Sequence, residues 1–394
     1  MKIFYDENMP YAAKFFAEFG ELVPFAGRTL TAEEVAEADV LLVRSITNVN
    51  ANLLSKNKKL RFVGTATIGI DHIDQAYLTQ RNIDFASAPG CNATSVAEYV
   101  ISALVVLAER YLFSLTELTV GIIGAGNTGT QLSHKLQALG INYKLYDPPL
   151  AETGDPRNFC SWHEVLACDV ISLHVPLTTT GLYPTYHLIN QAVLSQLTDQ
   201  QILINVCRGE VVDNQSLYQM KKQGFALKLI WDVWENEPTI LTELIAYTEI
   251  ATAHIAGYSL EGKSAGTEML YQALCRILDV QPSKALGDIL PKADVEQVNL
   301  QIKHINQNII SKLVKLVYDV RRDDAIFRQQ YSEHKNLTST VIAQQFDLLR
   351  KNYPIRREFS SLKVTLLNNT KFDVPHQLGF SIPSKKGEEH GTKI

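Results

Sequence analysis

Short apolar runs alternate with amphipathic stretches of helical length from the start of the chain. The apolar runs of the N-terminal part are KIFY, ELVPF, VLLVRS, RFVGTA and IDFASA, and the segments between them include 10–19 and 74–80. This rhythm is typical of parallel strands joined by crossover helices. The next segment, Ser95–Arg110, is apolar on most sides and follows two candidate capping residues, Asn92 and Thr94. It predicts a long buried helix, which we expect to join two lobes.

A second series of apolar runs follows this helix. Its members are TVGII (119–123), YKLYD (143–147), VISLHV (170–175), ILINV (202–206), LKLIWDV (227–233) and EIATA (249–253). The segments between them have helical patterns, and Gln131–Leu139, for example, places Leu132, Leu136 and Leu139 on one face before Gly140. The series predicts a doubly wound parallel sheet, in which ligands bind beyond the carboxyl ends of the strands.

The pattern changes after about residue 286. A long helix is predicted over Val298–Arg322, another near Val341–Lys351, and a strand at SLKVTLL. The predicted fold is therefore α/β, with two doubly wound Rossmann-like lobes followed by a C-terminal α+β domain. The expected boundaries are a substrate-binding lobe at 1–94 that is completed by 259–285, a dinucleotide-binding domain at 95–258, a C-terminal domain at 286–380 and a disordered polar tail at 381–394.

The composition narrows the range of partners. Of the 394 residues, 46% are apolar and 20% are charged, and the net charge of −5 leaves no basic excess of the kind that nucleic-acid-binding proteins carry. No apolar run reaches the ~18 residues of a membrane span, and the N-terminus lacks the apolar core of a signal peptide. The five cysteines are scattered without a CxxC pair, which indicates reduced thiols. We expect a cytoplasmic protein with a small-molecule partner.

The clearest motif is GIIGAGNTG, in which Gly124, Gly126 and Gly129 form GxGxxG between a predicted strand and a predicted helix. Such glycines allow a tight turn and close approach of the backbone to a pyrophosphate, while the helix N-terminus supplies N–H donors. Asp147 ends the next strand, where a carboxylate accepts hydrogen bonds from ribose hydroxyls and repels a 2′-phosphate. The alternative is a packing cluster of glycines with a turn aspartate. Together these features predict a site for NAD rather than NADP.

Several polar residues follow predicted strands at one edge of the second sheet. Arg208, in NVCRGEVVD, is placed to hold a substrate carboxylate through two parallel hydrogen bonds, although a solvated surface arginine fits its spacing equally well. His254, in TAHIAGYSLEG, is the natural acid–base group for a hydroxyl proton, and Glu237, in WDVWENEP, is the candidate carboxylate to orient it. For an isolated histidine the alternative is a structural role. The same stretch places Asp232 at the cofactor edge and Glu235 toward solvent.

Polar groups also end strands of the first lobe, in RSIT and GTATIGIDHID. Ser45, Thr67 and the backbone N–H groups around Gly69 are placed to bind an anionic substrate, with Arg44 nearby to add charge. A metal site is the alternative for one cluster of this lobe, Asp71, His72 and Asp74. Its spacing matches no tight metal motif, and we expect a helix N-cap there and no metal.

The motifs occur in a specific order, which is GxGxxG, the aspartate of YKLYD, HVPL, NVCRG, DVWENEP and HIAG. In this order they resemble the D-isomer-specific 2-hydroxyacid dehydrogenases over about residues 1–285. Further stretches, among them KIFYDENMPYA, SAPGCNATSVAEYV, YDVRRDD and RREFSSL, extend the resemblance within that family to about residue 380. The resemblance implies an NAD-dependent oxidation of a small phosphorylated 2-hydroxy acid, and a homodimer formed through the C-terminal domain.

The resemblance also implies roles for individual residues. Arg208 anchors the substrate carboxylate, and His254, paired with Glu237, relays the proton. Substrate contacts are implied for Ser45, Thr67 and Tyr258, and cofactor contacts for Gly124, Gly126, Asn127, Thr128, Gly129, Asp147, Val175, Cys207, Asp232 and Gly257. Val175 departs from the family, in which threonine often stands, so a hydroxyl contact to NAD is absent there.

The sequence leaves other interpretations open. The chain could be a different dehydrogenase of this family, acting on glycerate, phosphoglycerate or lactate, or an NAD-sensing protein without turnover. The groups that hold the substrate phosphate are also open. Four arginines of the C-terminal domain are candidates to lend charge to the site, with a solvated surface as the alternative, and they are Arg321, Arg322, Arg356 and Arg357.

Overall fold

The computed structural model describes residues 1–302, 304–332, 338–366 and 374–382. Within them the strands form three sheets, of five, six and two strands, and every strand pairing is parallel. The two larger sheets are the two predicted doubly wound lobes, so the predicted fold class is confirmed. The five cysteines are free thiols. None of the helices in these residues combines the length and the apolarity that a membrane span requires.

The first lobe is built on the five-stranded sheet. Its elements are β1 (Lys2–Asp6), α1 (Ala12–Phe16), β2 (Glu21–Phe25), β3 (Val40–Val43), β4 (Phe62–Thr65), α2 (Gln75–Gln80) and β5 (Asp84–Ala86). The strand order is β2-β1-β3-β4-β5, and every residue of β3 and β4 is buried, as expected of strands covered on both faces. Asp74 accepts a hydrogen bond from Tyr77 N and so caps α2, which is the role expected from the sequence.

The long predicted helix follows as α3 (Ala93–Tyr111), which is almost entirely buried and packs in one core with the second lobe and the C-terminal domain. Asn92 stands at its N-cap position, but its side chain makes no capping hydrogen bond. The apolar pattern begins at Ser95, but the helix begins two residues earlier, at Ala93. Helix ends are often displaced by one or two residues in this way.

The second lobe is built on the six-stranded sheet. Its elements are β6 (Thr119–Ile123), α4 (Asn127–Ala138), β7 (Asn142–Tyr146), α5 (Pro148–Glu152), α6 (Trp162–Leu166), β8 (Val170–Leu173), α7 (Gln191–Leu194), β9 (Ile202–Asn205), α8 (Asn214–Lys222), β10 (Lys228–Trp231) and β11 (Ile250–Ala251). The strand order is β11-β10-β9-β8-β6-β7, and a single parallel bridge between Leu145 and Phe159 extends the sheet beyond β7. The order of the strands reverses between β6 and β8, and ligands bind at such a switch point.

The chain then returns to the first lobe through α9 (Leu260–Ile277). Tyr271 of α9 packs its ring 5.3 Å from that of Phe15 and 6.0 Å from that of Phe16, both on α1. Helix α9 therefore packs on the first lobe, while the substrate-binding role of this lobe and its completion by 259–285 stay predictions.

The C-terminal domain combines a two-stranded sheet with four helices in the described residues. Its elements are β12 (Gln297–Leu300), α10 (Gln307–Val317), α11 (Val320–Ser332), α12 (Ser339–Lys351), β13 (Lys363–Leu366) and α13 (Val374–Leu378). The predicted continuous helix over 298–322 is wrong. Residues 297–300 alternate polar and apolar side chains and pair with β13. Tyr318, whose backbone is extended, then separates α10 from α11.

Buried polar contacts attach the C-terminal domain to the second lobe. Lys135 of α4 donates to Glu98 of α3 at 3.0 Å and to the carbonyl of Leu378 at 2.8 Å. Glu98 also accepts from the N–H of Phe359 at 3.0 Å. The predicted tail begins at 381, but Ser381 is hydrogen-bonded, since its N–H donates to the carbonyl oxygen of Leu362. Residues from 383 onward lie outside the described residues.

Candidate active site

The glycine motif connects β6 to α4 at the switch point of the second sheet. Gly124 has φ +96, and a Cβ there would lie 2.6 Å from the backbone of His174, so only glycine fits. A Cβ on Gly129 would lie 2.0 Å from the carbonyl oxygen of Gly124, which explains the close packing of helix on strand. In front of α4, a Cβ on Gly126 would meet nothing within 4 Å.

This open space lies at the N-terminus of α4, whose first N–H groups, on Asn127, Thr128 and Gly129, have no partner within the helix. Free N–H donors and the helix dipole favour a pyrophosphate at such a place. The residues of the motif therefore fit a dinucleotide.

Asp147 follows β7, next to the glycine motif. Its carboxylate accepts from Ala125 N at 2.8 Å and from Leu150 N at 3.2 Å. These bonds hold the carboxylate beside the motif, where a ribose hydroxyl would meet it. Its contact with ribose stays a prediction.

Arg208 lies in the turn after β9. Its Nη1 donates to the carbonyl of Cys207 at 2.8 Å, and its Nη2 is 4.0 Å from the carboxylate of Asp71, which is largely exposed. Across the cleft, a Cβ on Gly69 would lie 2.5 Å from the Arg208 Nη2. The guanidinium therefore faces the β4–α2 loop of the first lobe and retains donors for a bidentate anion.

His254 and Glu237 form a close pair at the same edge of the sheet. The Nδ1 of His254 lies 2.6 Å from Oε2 of Glu237, and Oε1 of Glu237 accepts from Trp234 N at 2.8 Å. Burial acts to raise the pKa of Glu237, but His254, Arg350 and the Trp234 N–H outweigh it and hold this pKa below its usual value. Glu237 is therefore a carboxylate oriented toward the imidazole, as the sequence predicts for an acid–base pair.

Asp232 supports the turn that carries His254. It is 1% exposed, and its carboxylate accepts from Thr252 Oγ1 at 2.6 Å, Ile255 N at 2.8 Å and Ala256 N at 2.9 Å. Burial raises the pKa of this group. Because His254 has φ +57, a conformation that is unfavourable for a residue with a Cβ, these bonds stabilise a strained turn. A contact between Asp232 and the cofactor stays a prediction.

The three predicted catalytic groups are brought to one place by adjacent strands. Arg208 follows β9, Glu237 follows β10 and His254 follows β11, and these parallel strands are neighbours in the sheet. Gly209 packs so tightly on the loop after β10 that a Cβ would lie 1.9 Å from the backbone of Trp234. The arginine turn and the Glu237–His254 pair therefore line the same edge of the sheet.

The predicted substrate residues of the first lobe lie across the cleft. Thr67 donates to the carbonyl of Gly69 at 2.8 Å and lies 2.7 Å from the hydroxyl of Thr65, which in turn lies 2.9 Å from His72 Nε2. This network fixes the Thr67 side chain. Ser45 is exposed and lines a cavity together with Tyr258.

The remaining predicted cofactor residues are Val175, Gly257 and Cys207. The N–H nitrogen of Val175 would lie 2.8 Å from a Cβ on Gly124, and Gly257 packs on the side chain of Asn92. Cys207 is buried, which raises the pKa of its thiol to about 11, so it packs here as a neutral group. Their contacts with NAD stay predictions.

Glu235 does not face solvent, and the expectation that it does is wrong. One of its carboxylate oxygens lies 2.6 Å from His187 Nε2, and the other accepts from Asn214 N at 3.2 Å. His187 is brought in from a loop 48 residues away in the sequence, and no local pattern in the sequence indicates this pair. The WDVWENEP loop thus contains two carboxylates, each paired with a different histidine.

The four C-terminal arginines singled out from the sequence all have protein partners. Arg321 pairs with Asp319 and Arg322 with Asp323, while Arg356 is buried against backbone carbonyls. Arg357 pairs with Glu261. A fifth arginine, Arg350, lines the same cavity as Ser45 and Tyr258, and no pattern in the sequence indicates this.

Known proteins resemble this chain over almost its whole length. Relatives named erythronate-4-phosphate dehydrogenase are 57% identical in Colwellia psychrerythraea, with 97% of this chain and 100% of the relative covered, and 52% identical in Tolumonas auensis, with 97% and 99% covered. The chain belongs to the erythronate-4-phosphate dehydrogenase family. Motifs such as GTATIGIDHID and HIAGYSLEGKSAGT already resemble this branch of the 2-hydroxyacid dehydrogenases, and the comparison confirms that resemblance.

Broader comparisons agree with this family. Residues 105–256 match the D-isomer specific 2-hydroxyacid dehydrogenase, NAD binding domain, and residues 289–379 match a domain of unknown function. Among solved structures, D-lactate dehydrogenase from Aquifex aeolicus, complexed with NAD and lactic acid, is 25% identical with a TM-score of 0.55 and covers 70% of this chain and 95% of its own. The NAD-bound 3-phosphoglycerate dehydrogenase of Entamoeba histolytica is 23% identical with a TM-score of 0.60, covers 71% and 95%, and shares the fold.

Proposed function

We propose that this protein oxidises the C2 hydroxyl of 4-phospho-D-erythronate to a ketone, giving 3-hydroxy-2-oxo-4-phosphooxybutanoate, in the biosynthesis of pyridoxal 5′-phosphate. NAD is the cofactor. The substrate follows from relatives named for it that are 48–57% identical over 97% of the chain. The observation that carries the chemistry is the 2.6 Å contact between His254 Nδ1 and Glu237 at the edge of the sheet where Arg208 also lies.

Each residue of the site has a separate role in this reaction. Arg208 binds the substrate carboxylate through its free guanidinium donors and so fixes the position of C2. Because Nδ1 of His254 is engaged by Glu237, Nε2 is the atom that takes the hydroxyl proton, and the Glu237 carboxylate stabilises the imidazolium that results. NAD, when bound, accepts the hydride that leaves C2, so the products are the ketone, NADH and one proton.

Closure of the two lobes would exclude water from this site. Two glycines lie where the lobes meet, Gly90 with φ +79 against Asn127 and Gly257 against Asn92. We propose Gly90 and the 257–260 turn as hinges of this closure.

Formation of NADH, followed by its ultraviolet absorbance, tests the proposed function. The purified protein should reduce NAD with 4-phosphoerythronate at a kcat/KM at least about 100-fold above that with 3-phosphoglycerate, glycerate or lactate. Replacing His254 with alanine should lower kcat by about 10²- to 10⁴-fold, the usual contribution of general acid–base catalysis, with the affinity for NAD little changed. No turnover of 4-phosphoerythronate, or a kcat for the variant within a fewfold of the parent, would contradict the proposal.

We further propose that the C-terminal domain pairs two copies of the chain. Large apolar side chains of this domain are exposed, with Leu316 at 48% and Ile326 at 42%, and burying them would stabilise a dimer. Sedimentation of the full chain should give the mass of a dimer, and Leu316→Glu or Ile326→Glu should shift it toward the monomer. A monomeric parent at micromolar concentration would refute this proposal.

A further inference from the structure

A cavity of about 530 Å³ opens between the first lobe and the C-terminal domain. Its walls come from the first lobe, from the start of α9 and from α12 with the segment that follows it. Ser45 and Tyr258, two of the three residues implied to contact substrate, both line it. The cavity therefore includes two of the residues that are expected to contact the substrate.

Three cations of this wall come from three parts of the chain. Arg44 follows β3, Lys263 lies in the first turn of α9 and Arg350 lies near the end of α12. Within the described residues none of the three forms an ion pair, whereas Arg28 on the same wall is neutralised by Asp347 at 2.7 Å. The buried Nε of Arg350 also has no hydrogen-bond partner there.

The tyrosine of the substrate site lies between two of these cations. Lys263 Nζ is 4.3 Å from the centre of the Tyr258 ring, and Arg350 Cζ is 5.6 Å from it. Burial, together with repulsion by Arg44 and Arg350, lowers the pKa of Lys263 to about 8. Of the two acids that line the cavity, Asp347 is already paired with Arg28, and Glu7 is exposed. Arg350 also feels the carboxylates of Glu237 and Asp347, but the residues that line the cavity still include more cations than acids. Such an excess of positive charge favours the binding of an anion.

We propose that Arg44, Lys263 and Arg350 bind the phosphate group of the substrate, so that the C-terminal domain completes the substrate site. This inference rests on the proposed function for the identity of the phosphate ester. Arg208 holds the carboxylate at the opposite end of the molecule, and a phosphate with a charge of nearly −2 would neutralise most of the cluster. The planar guanidinium of Arg350, with its free Nε, suits bidentate contact with phosphate oxygens.

The experiment compares Arg350→Met and Lys263→Met with the parent on 4-phosphoerythronate and on erythronate, which lacks the phosphate. Loss of one charged partner of a desolvated pair should lower kcat/KM for the phosphorylated acid by about 30-fold or more, mainly through KM. For erythronate, Lys263→Met should change kcat/KM by no more than about threefold. Arg350→Met also removes a charge that favours the ionised Glu237, so it should lower kcat for erythronate, but by less than it lowers kcat/KM for the phosphorylated acid. The affinity for NAD should not change. Arg350→Lys should recover part of the loss.

Arg276→Met is the matched control, because Arg276 is an exposed cation at the other end of α9. It should leave both substrates unaffected. Melting temperatures close to that of the parent would show that the variants fold. Equal losses on both acids, or no loss on either, would overturn the assignment.

Titration with inorganic phosphate separates this inference from the proposed function. The parent should bind phosphate in calorimetry, and Arg350→Met should weaken that binding by at least about tenfold, whichever phosphorylated acid the enzyme oxidises. If the parent binds phosphate but does not turn over 4-phosphoerythronate, the proposed function fails and the anion site stands. If the parent binds no phosphate, or Arg350→Met binds it as well as the parent, the anion site fails.

Discussion

The contact between Glu237 and His254 allows the proton-transfer role to be tested with a nearly isosteric change. Glu237→Gln keeps the size of the side chain and its contact with Trp234 N, but removes the negative charge 2.6 Å from Nδ1 of His254. The side chains of the pair are 31% and 18% exposed. The site is therefore shielded enough for the charge to matter.

The size of the effect follows from this geometry. A hydrogen bond to a charged group contributes about 1.5–3 kcal/mol, and the shielding of this pair favours the upper part, about 2–3 kcal/mol. Because 1.36 kcal/mol corresponds to a factor of ten, we expect kcat/KM for the oxidation to fall by about 30- to 150-fold.

The assay is NADH formation under steady-state conditions. Glu235→Gln is the matched control, since Glu235 lies on the same loop and makes a contact of the same length with a different histidine, His187. It should leave kcat/KM within about twofold of the parent. A kcat/KM within about twofold of the parent for Glu237→Gln, or equal effects of the two variants, would refute the relay.

Three further predictions concern other parts of the molecule. Arg208→Lys keeps the charge but loses the bidentate geometry, so kcat/KM should fall by about 10- to 100-fold while NADH affinity, followed by fluorescence, stays constant; parallel loss of NADH affinity would contradict this. Asp147→Ala removes the acceptor beside Ala125 N and should raise the KM for NAD by about tenfold while narrowing the preference over NADP, and an unchanged ratio would argue against the ribose contact. Lys135→Met should lower the free energy of unfolding in urea by about 3–5 kcal/mol at pH 8, because it leaves Glu98 buried without its counterion. Burial raises the pKa of Glu98 to about 7, so the contribution of Glu98 to the free energy of unfolding declines as pH rises from about 4.5 to about 7 and the carboxyl ionises. At pH 5.5 Glu98 is mostly uncharged, so Lys135→Met should lower the free energy of unfolding by less than it does at pH 8. Equal losses of stability at both pH values would contradict this.

The fold was predictable where the cause of an element is local. Strand β6 lies at the predicted residues 119–123, and α12 begins within two residues of its prediction, because apolar periodicity and capping act over a few residues. The prediction failed at 298–322, where a strand and two helices replace one helix. The strand depends on a partner more than 60 residues away at 363–366, and the break at Tyr318 depends on tertiary packing.

For the candidate site too, some features could be predicted from the sequence and others depend on distant contacts. The order of the strand ends indicated that Arg208, Glu237 and His254 belong together, since parallel strands place their carboxyl ends at one edge. Nothing in the sequence indicated that Glu235 is paired with His187.

The sequence by itself determined the lobes, the glycine motif and the proximity of His254 to Glu237, because these follow from short-range periodicity and from the parallel arrangement of successive strands. Only the tertiary structure decided which cations pair with a nearby acid and which line the cavity beside Tyr258. It pairs Arg321, Arg322 and Arg357 with acids and brings Arg350 beside Tyr258, 92 positions earlier in the chain. Such distant contacts are set by how the domains pack, which no local pattern records.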